Sequence, residues 1–86
     1  MKNTILIKLI VPSLSQEFDL FIPINERVDK VIEMLKKALI EISDQTIRMD
    51  SDWYLIHATT GIILDHNKSI HDLKIKNSAK LMLFHN

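Results

Sequence analysis

From Thr4 to Val11 the chain alternates with a period of two: Ile5, Ile7, Leu9 and Val11 fall on one side, and Thr4, Leu6, Lys8 and Ile10 on the other. That pattern predicts a strand with one face buried. Pro12 has no N–H for a ladder and ends it, and Ser13-Leu14-Ser15 reads as a turn. A second alternating run follows from Gln16 to Ile24, with Phe18, Leu20 and Ile22 opposed to Glu17, Asp19 and Phe21. The two runs predict a β-hairpin.

The pattern then changes period. Val28, Val31, Ile32, Leu35, Leu39 and Ile42 keep the three-and-four spacing that lines one side of an α-helix. Asn25 is the expected N-cap, Glu26 and Asp29 sit in the electropositive first turn, and Pro23 keeps the preceding residues extended. Glu26 with Lys30, Glu33 with Lys37, and Lys37 with Glu41 stand four apart and are expected to pair on the outer side.

Residues 43–52 read as a polar loop, with an extended piece around Ile47 and Met49. Residues 53–58 are rich in aromatic and branched side chains and predict a strand. Thr59-Thr60-Gly61 turns the chain, and the chain's single glycine stands where a positive φ is cheapest. Ile62-Ile63-Leu64 forms a short return strand. After a turn at Asp65-His66-Asn67-Lys68, residues 69–73 form one helical turn capped by Ser69, and residues 80–84 form a last strand. The order strand, strand, helix, strand, short strand, strand predicts an α+β domain. Its mixed sheet has four to five strands, the first and last adjacent and parallel in the middle, with one main helix packed across one face.

That order is the β-grasp, and the stretch from Leu64 to Ile75 resembles the ubiquitin-like version: short strand, turn, Ser/Thr-capped helical turn and buried isoleucine. Leu81 and Leu83 resemble the inward leucines of its last strand. More narrowly, the chain resembles the YukD-like (EsaB-type) ubiquitin-like proteins associated with type VII (ESX, WXG-type) secretion in Gram-positive bacteria. The resemblance is carried by Val11-Pro12, by Phe18-Asp19-Leu20-Phe21-Ile22-Pro23, by Trp53-Tyr54-Leu55, and by Thr60-Gly61 with Leu64-Asp65 and Asn77-Ser78. Where relatives often place glycine, this sequence has Asn77 and Ser78, which a left-handed turn tolerates less readily. The resemblance implies an accessory or regulatory secretion component with secretion machinery as its protein partner. Conjugation through a tail ending in two glycines is not expected, since the sequence runs out as Phe84-His85-Asn86.

Composition narrows the function classes. Eighty-six residues, 47% of them hydrophobic, suffice for one core, so residues 1–86 are expected to form a single domain. The absence of cysteine removes disulfides and thiol chemistry and fits the cytoplasm. The apolar N-terminus is interrupted by Lys8 and followed by Pro12, unlike a signal peptide, and no run approaches the about 20 apolar residues of a membrane span. Eleven basic residues balance eleven acidic ones, which argues against nucleic acid; a rival reading gives Lys68, Lys74, Lys76 and Lys80 a nucleic-acid role. His57, His66, His71 and His85 lack metal-ligand spacing, and His66 and His71 read as solvated loop residues. Ser69, His71 and Asp72 are too close in sequence to make a hydrolase triad by themselves. No cofactor, metal or catalytic residue is assigned.

What the pattern leaves over is apolar surface. If Ile5, Ile7, Leu9, Leu20, Ile22, Leu55, Leu81 and Leu83 face the helix, then Leu6, Ile10, Phe21, Tyr54, Ile56, Met82 and Phe84 point the other way, and no second helix is predicted to cover them. This open face, with Lys8, Asp19 and Lys80 as its polar complement, is the expected partner-binding surface. A homodimer closed by the same patch is the alternative.

Overall fold

The computed structural model describes residues 3–43 and 52–85. The elements are β1 (Thr4–Val11), a short 3-10 turn at Pro12–Leu14, β2 (Gln16–Pro23), α1 (Val28–Ser43), β3 (Trp53–His57), β4 (Ile62–Ile63) and β5 (Ala79–His85). The five strands form one sheet in the order β2-β1-β5-β3-β4. β1 and β5 pair in parallel at the centre, and the other neighbours are antiparallel. This is the ubiquitin-like β-grasp, with α1 across one face.

The core is built by two periodicities meeting. Ile7, Leu9, Ile22, Leu55, Leu81 and Leu83 are buried from the strands, and Val28, Val31, Ile32, Leu35 and Leu39 from the helix. Ile5 and Leu20 pack against this cluster at its margin. Ile70 and Ile75, from the irregular segment before β5, and Leu64, just after β4, complete it. Burying a branched aliphatic side chain contributes about 1.5–3 kcal/mol, so these positions dominate the fold's stability.

Three local features depart from the expectations above. Asn25 is not the N-cap: the helix begins at Val28, and the Arg27 carbonyl accepts from the Lys30 and Val31 N–H groups, each at 3.0 Å. The orphan N–H groups of Val28 and Asp29 instead donate to the carbonyls of Lys68 (2.9 Å) and His66 (3.3 Å), so a distant turn caps the helix with its backbone. Ile42 is 51% exposed rather than core. It shares Leu35's side of the helix but lies about 10 Å farther along the axis, past the residues that bury Leu35. The expected pairs four apart also give way: Glu33 pairs with Lys36 at 2.9 Å, Arg27 pairs with Asp29 at 2.8 Å, and Glu26 lies ahead of the helix.

Element bounds also shift slightly: residue 43 closes the helix, and the extended piece at Ile47 and Met49 lies outside the described residues. Ser69 does cap its turn, its Oγ accepting from the Asp72 N–H at 3.0 Å, although that turn does not extend into a helix. Gly61 has φ +77°, as its position after Thr59-Thr60 demands, and Ser78 adopts φ 70° where a glycine would be unstrained. Asn77 supports that turn by accepting the Leu6 N–H on its Oδ1 at 2.8 Å, while the Ser78 N–H donates to the Leu6 carbonyl at 2.7 Å.

Candidate protein-docking face

Strand register decides which side chains share the sheet face opposite α1. Ile10 lies beside Met82, Met82 beside Ile56, and Ile56 beside Ile63, which makes an apolar row across four strands. Tyr54 and Phe84 are also register partners, with ring centroids 5.3 Å apart, and they extend the row toward one end. Toward the other end Lys8 stands beside Asp19 on one flank and Lys80 on the other. Beyond that charged band Leu6 pairs with Phe21. The face is therefore an aromatic and aliphatic field, a polar strip, and a small apolar outpost.

Exposure grades these positions. Phe21 is 71% exposed, whereas Leu6, Lys8, Ile10, Tyr54, Ile56, Met82 and Phe84 are half-buried. The half-burial arises because neighbours in register lie near enough for their side chains to shield one another. None of the eight is enclosed in the core cluster. Lys8 reaches Glu17 at 3.8 Å with both side chains largely solvated, a pair that contributes little.

Two residues of this region escaped the sequence reading. Ile63, 55% exposed, joins the apolar row through its pairing with Ile56. A two-residue strand carries too little pattern to reveal which of Ile62 and Ile63 shares a face with Ile56. His66 is not a solvated loop residue: its ring lies 5.6 Å from Tyr54, it is half-buried, and its Nε2 is buried with no hydrogen-bond partner among the described residues. The turn that caps α1 carries it there. His71 is exposed, as expected of a loop position.

Behind Tyr54, an open cavity of about 350 Å³ is lined by Asp29, Glu33, Lys36, Asp52, Trp53 and His66 among others. Its carboxylates are partly engaged already, Asp29 by Arg27 and Glu33 by Lys36. Lys36 itself is 4% exposed, a position that spacing alone placed on neither face. Among the described residues no helix is long and apolar enough to cross a membrane.

No protein-family model and no curated protein sequence matches the chain. Solved structures do resemble it. The ubiquitin-like domain of the Mycobacterium tuberculosis type VII secretion system protein EccD1 superposes with a TM-score of 0.74 at 15% identity, covering 95% of this chain and 98% of that one. The EccD5 ubiquitin-like domain from Mycobacterium xenopi gives 0.69 at 12% identity, with 99% and 97% covered. A ubiquitin-like domain of an Arabidopsis thaliana protein gives 0.65 at 19% identity, with 98% and 79% covered. The chain thus has the ubiquitin-like fold, and among the proteins that share it are domains of type VII secretion components.

Proposed function

We propose that this protein is a ubiquitin-like docking module, working in the cytoplasm as an accessory or regulatory component of a type VII secretion system. In this reading it binds a component of the machinery through the sheet face opposite α1. The observation that carries the reading is the row Ile10, Met82, Ile56 and Ile63 with the Tyr54–Phe84 pair beside it, an apolar field bordered by Lys8, Lys80 and Asp19. Apolar centres with charged rims are the usual anatomy of protein interfaces, and aromatic and methionine side chains are frequent anchors. The likeness to EccD1 and EccD5 domains supports the choice of pathway.

The test is capture of secretion membrane-complex components by the immobilised chain, compared with its Phe21→Asp, Ile63→Asp and Phe84→Asp variants. Loss of capture at an unaltered far-ultraviolet circular dichroism spectrum is expected for the substitutions in the aromatic and aliphatic field. Phe21 and Ile63 are exposed, so their substitution should leave the fold intact even if Phe84→Asp does not. Undiminished capture by all three folded variants would remove this face from the mechanism, and a tight dimer in sedimentation would favour self-association instead.

A further inference from the structure

A second surface lies at the β4 edge of the sheet, on the side that α1 occupies. Ile62 is the register partner of His57, and His57 stands two residues after Leu55, so all three side chains leave the sheet on the helix side. Leu55 is fully buried, but Ile62 is 62% exposed because the helix does not reach it. With Leu64, Leu73 and Ile75 it walls an open cavity of about 350 Å³. Leu64 and Ile75 are buried, so the floor of this groove is continuous with the core.

Lys74 sets the charge of the groove. Its polar lining residues are His57, Thr60 and Lys74, with no carboxylate among them. Lys74 is exposed and forms no ion pair among the described residues. The Thr60 Oγ1 accepts from the Ile62 N–H at 3.3 Å, which leaves its hydroxyl hydrogen available to donate outward.

The backbone at Lys74 is strained. It adopts φ 58° where the 69–73 turn closes, its N–H donating to the His71 carbonyl at 3.0 Å while the Ile75 N–H donates to the Ile70 carbonyl at 3.3 Å. Glycine is the unstrained residue in this kind of closure. An exposed lysine there gains no packing to offset the strain, and a strained residue at the mouth of a groove points to a ligand.

Apolar walls beside one cation call for an aliphatic side chain with a negative charge close by. In an extended segment neighbouring side chains leave on opposite sides, so an internal acidic residue next to the aliphatic one faces away from Lys74. A chain terminus has no such constraint, because its carboxylate is bonded to the Cα that carries the side chain. The groove is too open to enclose a free small molecule, whereas a polypeptide gains further contact beyond the mouth.

We propose that this groove binds the carboxyl terminus of a partner polypeptide that ends in an aliphatic residue. The last side chain packs against Ile62, Leu64, Leu73 and Ile75, and the carboxylate accepts from the Lys74 ammonium and the Thr60 hydroxyl. The site is separate from the face opposite α1, so either can fail without the other.

The probe is the N-acetylated peptide Gly-Ser-Gly-Ser-Leu with a free carboxyl terminus, titrated into the ¹⁵N-labelled chain at neutral pH. Amide shifts are expected over residues 57–64 and 73–75, with Ile10 and Phe21 unmoved. Amidation of the peptide terminus, or serine in place of its leucine, should weaken binding tenfold or more. Ile62→Asp should weaken it to the same degree. Lys74→Gly should weaken binding tenfold or more while raising the melting temperature, a combination that a lysine kept for stability would not give; raised salt should weaken binding to the unaltered chain. The proposal is overturned by absence of shifts at millimolar peptide, by equal binding of the amidated peptide, by undiminished binding to the Lys74→Gly chain, by shifts confined to the Ile10 and Phe21 face, or by hexanoate binding as tightly as the peptide.

Discussion

The Lys36 ammonium lies 2.9 Å from the Glu33 carboxylate one turn back along α1, and the lysine is buried while the glutamate side chain stays 55% exposed. The pair therefore sits at the boundary between core and solvent, with the lysine stem packed as an apolar chain and its charge carried toward the surface. Replacing a buried ion by an apolar side chain of similar length is often neutral or stabilising, whereas removing only its partner is costly. Lys36→Met should leave the unfolding free energy within about 1 kcal/mol or raise it, and Glu33→Gln should lower it by about 1 kcal/mol. Urea denaturation measures both, and a Lys36→Met loss well beyond the Glu33→Gln loss would contradict this account.

The start of α1 makes a prediction against sequence intuition. Asn25 lies outside the cap, and the Val28 and Asp29 amides are satisfied by the carbonyls of Lys68 and His66. Asn25→Ala should therefore change stability by less than about 0.5 kcal/mol, the usual range for a surface position. Ser69→Ala removes the acceptor for the Asp72 N–H and should cost about 1 kcal/mol. Thermal unfolding of the two variants side by side decides which residue caps an element.

The turn before β5 holds a different kind of strain. Ser78 adopts φ 70°, a conformation that costs an L-residue about 1–2 kcal/mol relative to glycine. Part of that gain is offset by the greater freedom of glycine in the unfolded chain, so Ser78→Gly should stabilise by about 0.5–1 kcal/mol. Asn77→Ala, which leaves the Leu6 N–H without its side-chain acceptor, should cost about 1 kcal/mol. The melting temperatures of these two variants should move in opposite directions.

Leu81, fully buried on the strand that joins the two halves of the sheet, tests the core. Leu81→Ala should cost about 2–5 kcal/mol, a large part of the stability expected of so small a domain. Its midpoint in urea should fall steeply, while Ile62→Ala, at an exposed position, should barely move it.

The chain's local patterns carried most of the architecture. Alternation in residues 4–11 and 16–22, the helical stripe from Val28 to Leu39, and the glycine after Thr60 each specify an element through side-chain direction or backbone freedom, which are properties of neighbouring residues. The same alternation assigned Leu6, Phe21, Met82 and Phe84 to the face opposite the helix. What it left undecided depends on residues far apart in the chain. Only strand register sets Ile63 beside Ile56 and places Lys8 between Asp19 and Lys80. Packing of the 66–68 turn against α1 displaced the cap from Asn25 and brought His66 beneath Tyr54, and the depth of the helix in the core buried Lys36 while leaving Ile42 outside. Those outcomes follow from backbone groups and volumes meeting across the fold, and periodicity along one segment holds no record of what will lie opposite it.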